Sequence, residues 1–462
     1  MSGNEKLDET AGERLRAIVD AALARVDSAE IIRRCVRRDG ATLTVKTETE
    51  ELTLDLDGFE RVVVVSIGKA AARMARALET VLDERLTGGV VVTKYGHGEA
   101  LARLEAFEAG HPVPDEAGVR AARQVEEVVT EGREGTLLIS LISGGGSALL
   151  VDPYHDGTHE LTLSDLQEVT RLLLGCGATI QEMNCLRKHL SAVKGGRLAA
   201  LAAPATTLSL ILSDVVGDDT ASIASGITAP DPSTFAEAVE IARRHDIFSS
   251  FPPRVRQLLE EGVAGTVPET PGPEDPLFDR VRNLIVGSNA QALRAAAEAA
   301  RAAGYRTIIL TSGLVGEARE TAKLFPAIAR DVLREALLTQ APACILAGGE
   351  TTVTLGPRPG RGGRNQELAL AALRELLVGP TEHRLGITFA SVATDGNDGP
   401  TDAAGGYFDA AVVARAREDV SGLHRALAEN DSYGYLERIG GLLRTGPTNT
   451  NVCDIQVLLV ES

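Results

Sequence analysis

Lysine is scarce in this chain. Only seven of its 47 cationic residues are lysines (Lys6, Lys46, Lys69, Lys94, Lys188, Lys194 and Lys323); the rest are arginines. Acidic residues number 65, which leaves a net charge of −18. That balance argues against a nucleic-acid partner, which would need a basic face. It does not exclude an anionic substrate, because a site can be locally basic. Acidic, lysine-poor composition suits salt adaptation, and a GC-rich genome would also favour arginine. Cysteine is equally thin: Cys35, Cys176, Cys185, Cys344 and Cys453 are scattered. None forms a CxxC pair, so neither a cysteine metal cluster nor a disulfide framework is indicated. Free thiols in packed positions are expected. No apolar run approaches the roughly 18 residues needed to cross a membrane. The segment MSGNEKLDETAGERLR is charged and lacks a secretory apolar core, so a soluble cytoplasmic protein is expected. Two nucleotide fingerprints are also missing. No GxGxxG follows a strand, which weakens a dinucleotide reading, and no GxxxxGK[ST] occurs.

What is present centres on Thr136 to Leu150, TLLISLISGGGSALL. An apolar β-prone run leads into Gly144, Gly145 and Gly146, then Ser147. Glycines let the backbone turn sharply and bring bare N–H groups near a ligand. Ser147 is expected to cap a helix. With Ser143 before it, this strand–turn–helix unit makes an anion site for a phosphate or carboxylate. Phe59 to Ile67 predicts another buried strand, followed at once by Gly68, Lys69 and a helix. Strands alternating with helices predict an α/β fold with a largely parallel N-terminal sheet. At 462 residues the chain is expected to form two domains, 12–260 and 277–460. Residues 262–276, rich in Pro, Gly and Glu, read as a connector, and a second α/β series is expected to start near Phe278 with a strand at 283–286.

Other residue types cluster with a pattern. Lys69 stands at a strand end beside a helix start, well placed to meet an anion as a point charge. Arg187, Lys188, Lys194 and Arg197 gather near a helix end. Asp214, Asp218 and Asp219 follow one strand; Asp395, Asp398 and Asp402 follow another. Carboxylates on such loops suit Mg²⁺, which takes a few carboxylates, waters and phosphate oxygens. The 395–402 loop lacks the twelfth-position Glu of a calcium loop. Arg361 and Arg364 sit in a glycine loop at a helix start, where a guanidinium can clamp phosphate with two prongs. His111 and His189 are candidate bases, although a lone histidine is more often structural. The combination suggests phosphoryl transfer without a P-loop.

Seven short motifs occur in order: SGGGSALL, NCLRKHLSAVKGGRLA, LSDVVGDD, ASGITAPDPSTF, GGETTVTLG, GRGGRNQELAL and TDGNDGPTDAAG. Together they resemble the class II glycerate kinases, the glycerate 2-kinase family with a C-terminal MOFRL domain, over residues 12–460. The resemblance implies two α/β domains, a Rossmann-like N-terminal sheet and a cleft between the domains. It implies transfer of the ATP γ-phosphate, with Mg²⁺, to the 2-hydroxyl of D-glycerate. The family's essential lysine falls on Lys69 and its essential arginine on Arg364. Asp214 is then expected to orient the hydroxyl or hold metal. Ser143, Gly144–Ser147, Arg187, Lys194 and Arg361 are expected to bind substrate or phosphate, and Asp218, Asp395 and Asp398 to bind metal. Small-molecule substrates are the expected partners; the oligomer stays open, a homodimer included. One departure is Asn449, where glycine is expected. A hydroxypyruvate reductase and an inactive sugar-acid sensor are the alternatives. Because the two residue sets lie in different series, closure over the substrates is expected.

Overall fold

The computed structural model describes residues 10–379 and 386–461. The chain divides into two compact units, residues 28–286 and the remainder, which joins the residues up to 27 with those from 287 onward.

The first unit opens with a small antiparallel sheet of β1 (Val36–Asp39), β2 (Thr42–Lys46) and β3 (Glu51–Asp55). Its main sheet has six strands: β4 (Arg61–Ile67), β5 (Gly88–Lys94), β6 (Glu105–Ala109), β7 (Thr136–Ile142), β8 (Thr206–Leu212) and β9 (Val281–Gly287). Their spatial order is β6-β5-β4-β7-β8-β9. The pairings among β4, β5, β6, β7 and β8 are all parallel. Central strands β4 and β7 are buried almost end to end, which explains their continuous apolar runs. From β4 the chain steps outward to one edge; from β7 it steps to the other. Order therefore reverses between β4 and β7, and ligands of such sheets bind at that switch point, beyond the carboxyl ends. The Rossmann-like expectation holds.

Helix Glu116–Thr130 packs one face into this sheet's core, with Val119, Ala121, Ala122 and Val125 buried. A helical block, Leu163–Cys176, Ile180–His189, Phe235–Arg244 and Pro253–Val263, has its own core around Phe235 and Leu258. Two sequence expectations shift here. The strand at 283–286 closes the first sheet as β9 instead of starting the second. Residues 262–276 lie inside the first unit, where Val267 and Thr270 are buried and Glu269 accepts from the Phe235 N–H. Proline and glycine mark an irregular path that is largely exposed and anchored by these few buried residues.

The second unit holds a six-stranded mixed sheet: β10 (Arg306–Glu317), β11 (Ala343–Thr352), β12 (Ile387–Ala393), β13 (Gly405–Phe408), β14 (Leu442–Leu443) and β15 (Asp454–Val460). The order is β10-β11-β15-β12-β13-β14, with β15 antiparallel to both β11 and β12. Helix Arg364–Val378 buries Leu368, Leu370 and Leu373 in its core. Helix Ala11–Arg25 also belongs to this unit, although 12–260 was expected to be continuous. Its capping box, Thr10 with Glu13, starts it cleanly. The buried stripe Leu15, Ile18, Val19 and Ala22 packs within this unit, and Arg14 bonds Tyr305 and Glu461. An amphipathic stripe announces a buried face but not the surface that covers it.

Candidate active site

At the switch point the β4 and β7 turns are stitched together. The Lys69 N–H donates to the Gly144 carbonyl (2.9 Å), and the Ser143 N–H donates to Ile67 (2.9 Å). Ser143 is buried, and its Oγ accepts from the Ala70 N–H at 3.2 Å. Ser143 thus builds the turn; its side chain is spent inside. Gly145 has φ +82, a left-handed conformation that glycine adopts without cost. A Cβ there would fall 2.9 Å from the His111 ring and 3.3 Å from Lys69 Cγ. A Cβ on Gly144 would fall 2.2 Å from Asp214 Oδ2. Lys69, His111, Asp214 and the glycine turn therefore converge, and His111 belongs to none of the motifs. Burial, with the fields of Lys69, Lys94 and His97, pushes the His111 imidazole down to about 4.

The helix after the turn is only Gly146–Leu149, and Gly145 occupies its cap position. Ser147 is not the N-cap that the sequence suggested: it lies inside this single helical turn, and its Oγ shares a 2.8 Å hydrogen bond with Ser225 Oγ. Ser225 Oγ in turn donates to Asn184 Oδ1 at 3.2 Å. Ala224 and Ser225 both have positive φ, 50° and 58°. Strained non-glycine backbone of this kind gathers at functional sites. Both open the ASGITAPDPSTF motif, although neither was expected among the site residues.

The cationic segment is mostly structural. Lys194 is buried and donates from Nζ to the Leu150 carbonyl at 3.2 Å, bracing the turn from inside instead of facing a substrate. Burial and nearby Arg187 push its amine down to about 7, with Asp152 pulling the other way. Lys188 pairs with Asp231 at 3.1 Å. Arg197 donates to the Lys188 and Ser191 carbonyls. Arg187 is half-buried, and burial lowers its guanidinium. His189, a candidate base, is fully buried; it sits edge-on to Phe235 and bonds Cys185 and Glu269. In the loop after β8, Asp218 has φ +56 and stays half-buried, and Asp219 turns the chain by accepting from Ala221 and Ser222.

The second unit carries its own cluster at the start of helix Arg364–Val378. Arg364 grips Asp454 with two prongs, Nε–Oδ2 at 2.6 Å and a second bond at 2.9 Å, and Glu350 at 2.6 Å. Burial pulls the Arg364 guanidinium down, but Asp454, Glu350 and Asp398 together raise it. Burial also raises the Asp454 carboxyl, to about 7, against the pull of Arg364. Those directions oppose each other across one ion pair; the two-pronged geometry favours the ionised pair. Among the described residues, three of the guanidinium's five N–H groups are engaged. Glu350 and Asp454 were missed by sequence reading. For Asp454 a carboxylate opening a largely apolar strand was the available signal, because a buried charge needs a partner.

Asp398, expected to bind metal, is engaged as a helix cap. It is buried, and its two oxygens accept from the Asn365 N–H (3.0 Å) and the Gln366 N–H (2.8 Å), capping the helix. Burial is what raises its carboxyl, against those bonds. Asp395 is half-buried in the turn after β12. Asp402 pairs with Arg444 and accepts from Tyr433. Arg361 is exposed and stacks on Tyr433, its guanidinium 4.3 Å from the ring centre.

Residues 14–260 match a family model described as a domain of unknown function, DUF4147, and residues 343–454 match the MOFRL family. A glycerate 2-kinase from Pyrococcus horikoshii is 41% identical across 90% of this chain and 92% of its own. The chain belongs to the glycerate 2-kinase family. A solved glycerate kinase from Thermotoga maritima superposes with a TM-score of 0.82 at 36% identity, covering 97% of this chain and 98% of that one. A relative named putative hydroxypyruvate reductase, from Agrobacterium vitis, is 43% identical across 87% of each chain. Both family models carry a cluster described above: the switch point falls within the first, the Arg364 cage within the second.

Proposed function

We propose that the protein transfers the terminal phosphoryl group of ATP to the 2-hydroxyl of D-glycerate. The observation that carries this reading is the convergence of Lys69, Asp214 and the Gly144 turn at the switch point of a parallel sheet. Backbone N–H groups of the turn bind an anionic group of the substrates. Lys69 offsets charge on the phosphoryl group as it moves, a contact worth most in the transition state. Asp214, beside Gly144, orients the glycerate hydroxyl and takes its proton. His111 stays unprotonated down to about 4, so it carries no charge near neutral pH. It serves as a neutral hydrogen-bond partner next to Lys69. Arg364 offers its guanidinium to phosphate oxygens.

Mg²⁺, when bound, would offset charge on the phosphate groups. Asp218 in the first unit and Asp395 in the second are each a half-buried carboxylate in a turn after a strand, and each taken by itself is a residue type that would suit it. Asp398 does not fit, because helix N–H groups take both its oxygens.

Product identification by ³¹P NMR tests the reading. Protein, Mg-ATP and D-glycerate should yield 2-phosphoglycerate. A 3-phosphoglycerate signal would overturn the regiochemistry, and no phosphoglycerate at all would overturn the activity. The reductase named among the relatives would need a nicotinamide site, yet the turn after β4 is Gly68-Lys69 without the glycine fingerprint. Oxidation of NADH by hydroxypyruvate should therefore be absent.

A further inference from the structure

On the first unit, Glu126, Asp152 and His155, none of them given a role above, point ligand atoms at one another within 4.8 Å. His155 Nε2 stands 3.5 Å from Asp152 Oδ1 and 3.5 Å from a Glu126 oxygen. These gaps are long for hydrogen bonds. Atoms held about 2.1 Å from one tetrahedral centre lie about 3.4 Å apart. Asp152 supplies a second, independent sign. Only 2% of it is exposed, and its Oδ2 finds no hydrogen-bond partner among the described residues. A buried carboxylate oxygen is seldom left unpaired without reason. All three residues line a cavity of about 800 Å³ that also contains Arg123 and Arg254.

The ligands are also held in place before any ion arrives. Glu126 projects from the middle of helix Glu116–Thr130. The Asp152 carbonyl accepts from the Ala192 N–H at 3.0 Å, and Pro153 bridges Ser191. His155 bridges Glu160. One end of the set is thus fixed to a helix and the other to an extended segment that leaves the Gly144 turn.

We propose that Glu126, Asp152 and His155 form a binding site for a divalent cation of the zinc class, with water from the cavity in the fourth position. One imidazole with two carboxylates suits such an ion better than Mg²⁺, which prefers oxygen donors alone. The ion ties the segment after the Gly144 turn to helix Glu116–Thr130. It is a second site, separate from any metal carried in with ATP.

The test uses the full chain, stripped with chelator, dialysed against Zn²⁺ in excess Mg²⁺ and assayed for metal by mass spectrometry. Co²⁺ absorption gives a second readout. One Zn²⁺ per chain should be retained, and the melting temperature should rise with Zn²⁺. His155→Ala and Glu126→Gln should each weaken binding at least about tenfold and abolish the thermal shift. Both side chains reach solvent, so both variants should fold. No retained Zn²⁺ in the wild type, or equal retention in both variants, overturns the site.

Discussion

Lys69 shows how much one residue can announce. The chain spends lysine sparingly, and this one follows a buried strand and precedes a helix, which puts it at the carboxyl edge of the sheet. If it touches the phosphoryl group mainly in the transition state, Lys69→Ala should lower kcat by about two powers of ten and shift KM little. Steady-state kinetics with glycerate and ATP check this; an unchanged kcat would return Lys69 to a surface role. Lys194 teaches the opposite. In sequence it looked like a second phosphate cation, but it is enclosed beneath the turn. Its amine falls from 10.5 unfolded to about 7 folded. Between those values the unfolded chain binds the extra proton, so stability rises with pH across that window. Below about 7 both states are charged and the dependence on this group vanishes. Lys194→Met should flatten the rise in melting temperature between pH 7 and 10, and an identical slope in wild type and variant would show that the amine stays charged. Asn449 closes a small question: it stands where glycine was expected and has φ +57, a left-handed conformation that asparagine tolerates better than most residues.

Elements were legible where chemistry is local. The strand–glycine turn at Gly144 is visible because a mostly apolar run, three glycines and a serine are contiguous. Its switch-point position was not, because strand order depends on pairings that no local pattern records. Arg364 illustrates the same limit: its partners Glu350 and Asp454 lie 14 and 90 residues away. Asp398 misled for a related reason. An aspartate in a glycine loop reads as a turn or a metal ligand, whereas this one caps a helix that begins 34 residues earlier at Arg364. Uncapping should cost about 1–3 kcal/mol, the cost of leaving buried donors unmet. Asp398→Ala should therefore lower thermal stability by that amount and leave the apparent affinity for Mg²⁺ nearly unchanged. A large loss of Mg²⁺ affinity with no loss of stability would restore the metal role. Gly145 offers a second check on the turn itself. Alanine at φ +82 should cost about 1–2 kcal/mol and push against His111, so Gly145→Ala should lose both stability and activity.

At the scale of the whole chain, the division into two units followed from length and from the alternation of strands and helices, but its boundaries did not. Helix Ala11–Arg25 and strand β9 exchange allegiance relative to a simple cut, because packing partners are chosen by shape and register rather than by order along the chain. Composition speaks more directly to behaviour in solution. With a net charge of −18, acidic groups outnumber basic ones over the surface, and their mutual repulsion opposes the compact state. Salt screens charges separated by more than a Debye length, about 10 Å at 0.1 M and about 3 Å at 1 M. Favourable contacts are mostly short range: Lys46–Glu51 and Arg61–Glu131, for example, are closed at 2.9 Å on the surface, where each contributes little and loses little. Long-range repulsion is therefore what added salt removes. The melting temperature should rise steadily as KCl goes from low to molar concentration, and activity measured without added salt should fall below its value in KCl. A flat or falling melting curve with full activity in low salt would mean that the acidic groups are dispersed too widely to repel, and that arginine replaced lysine for reasons unrelated to salt.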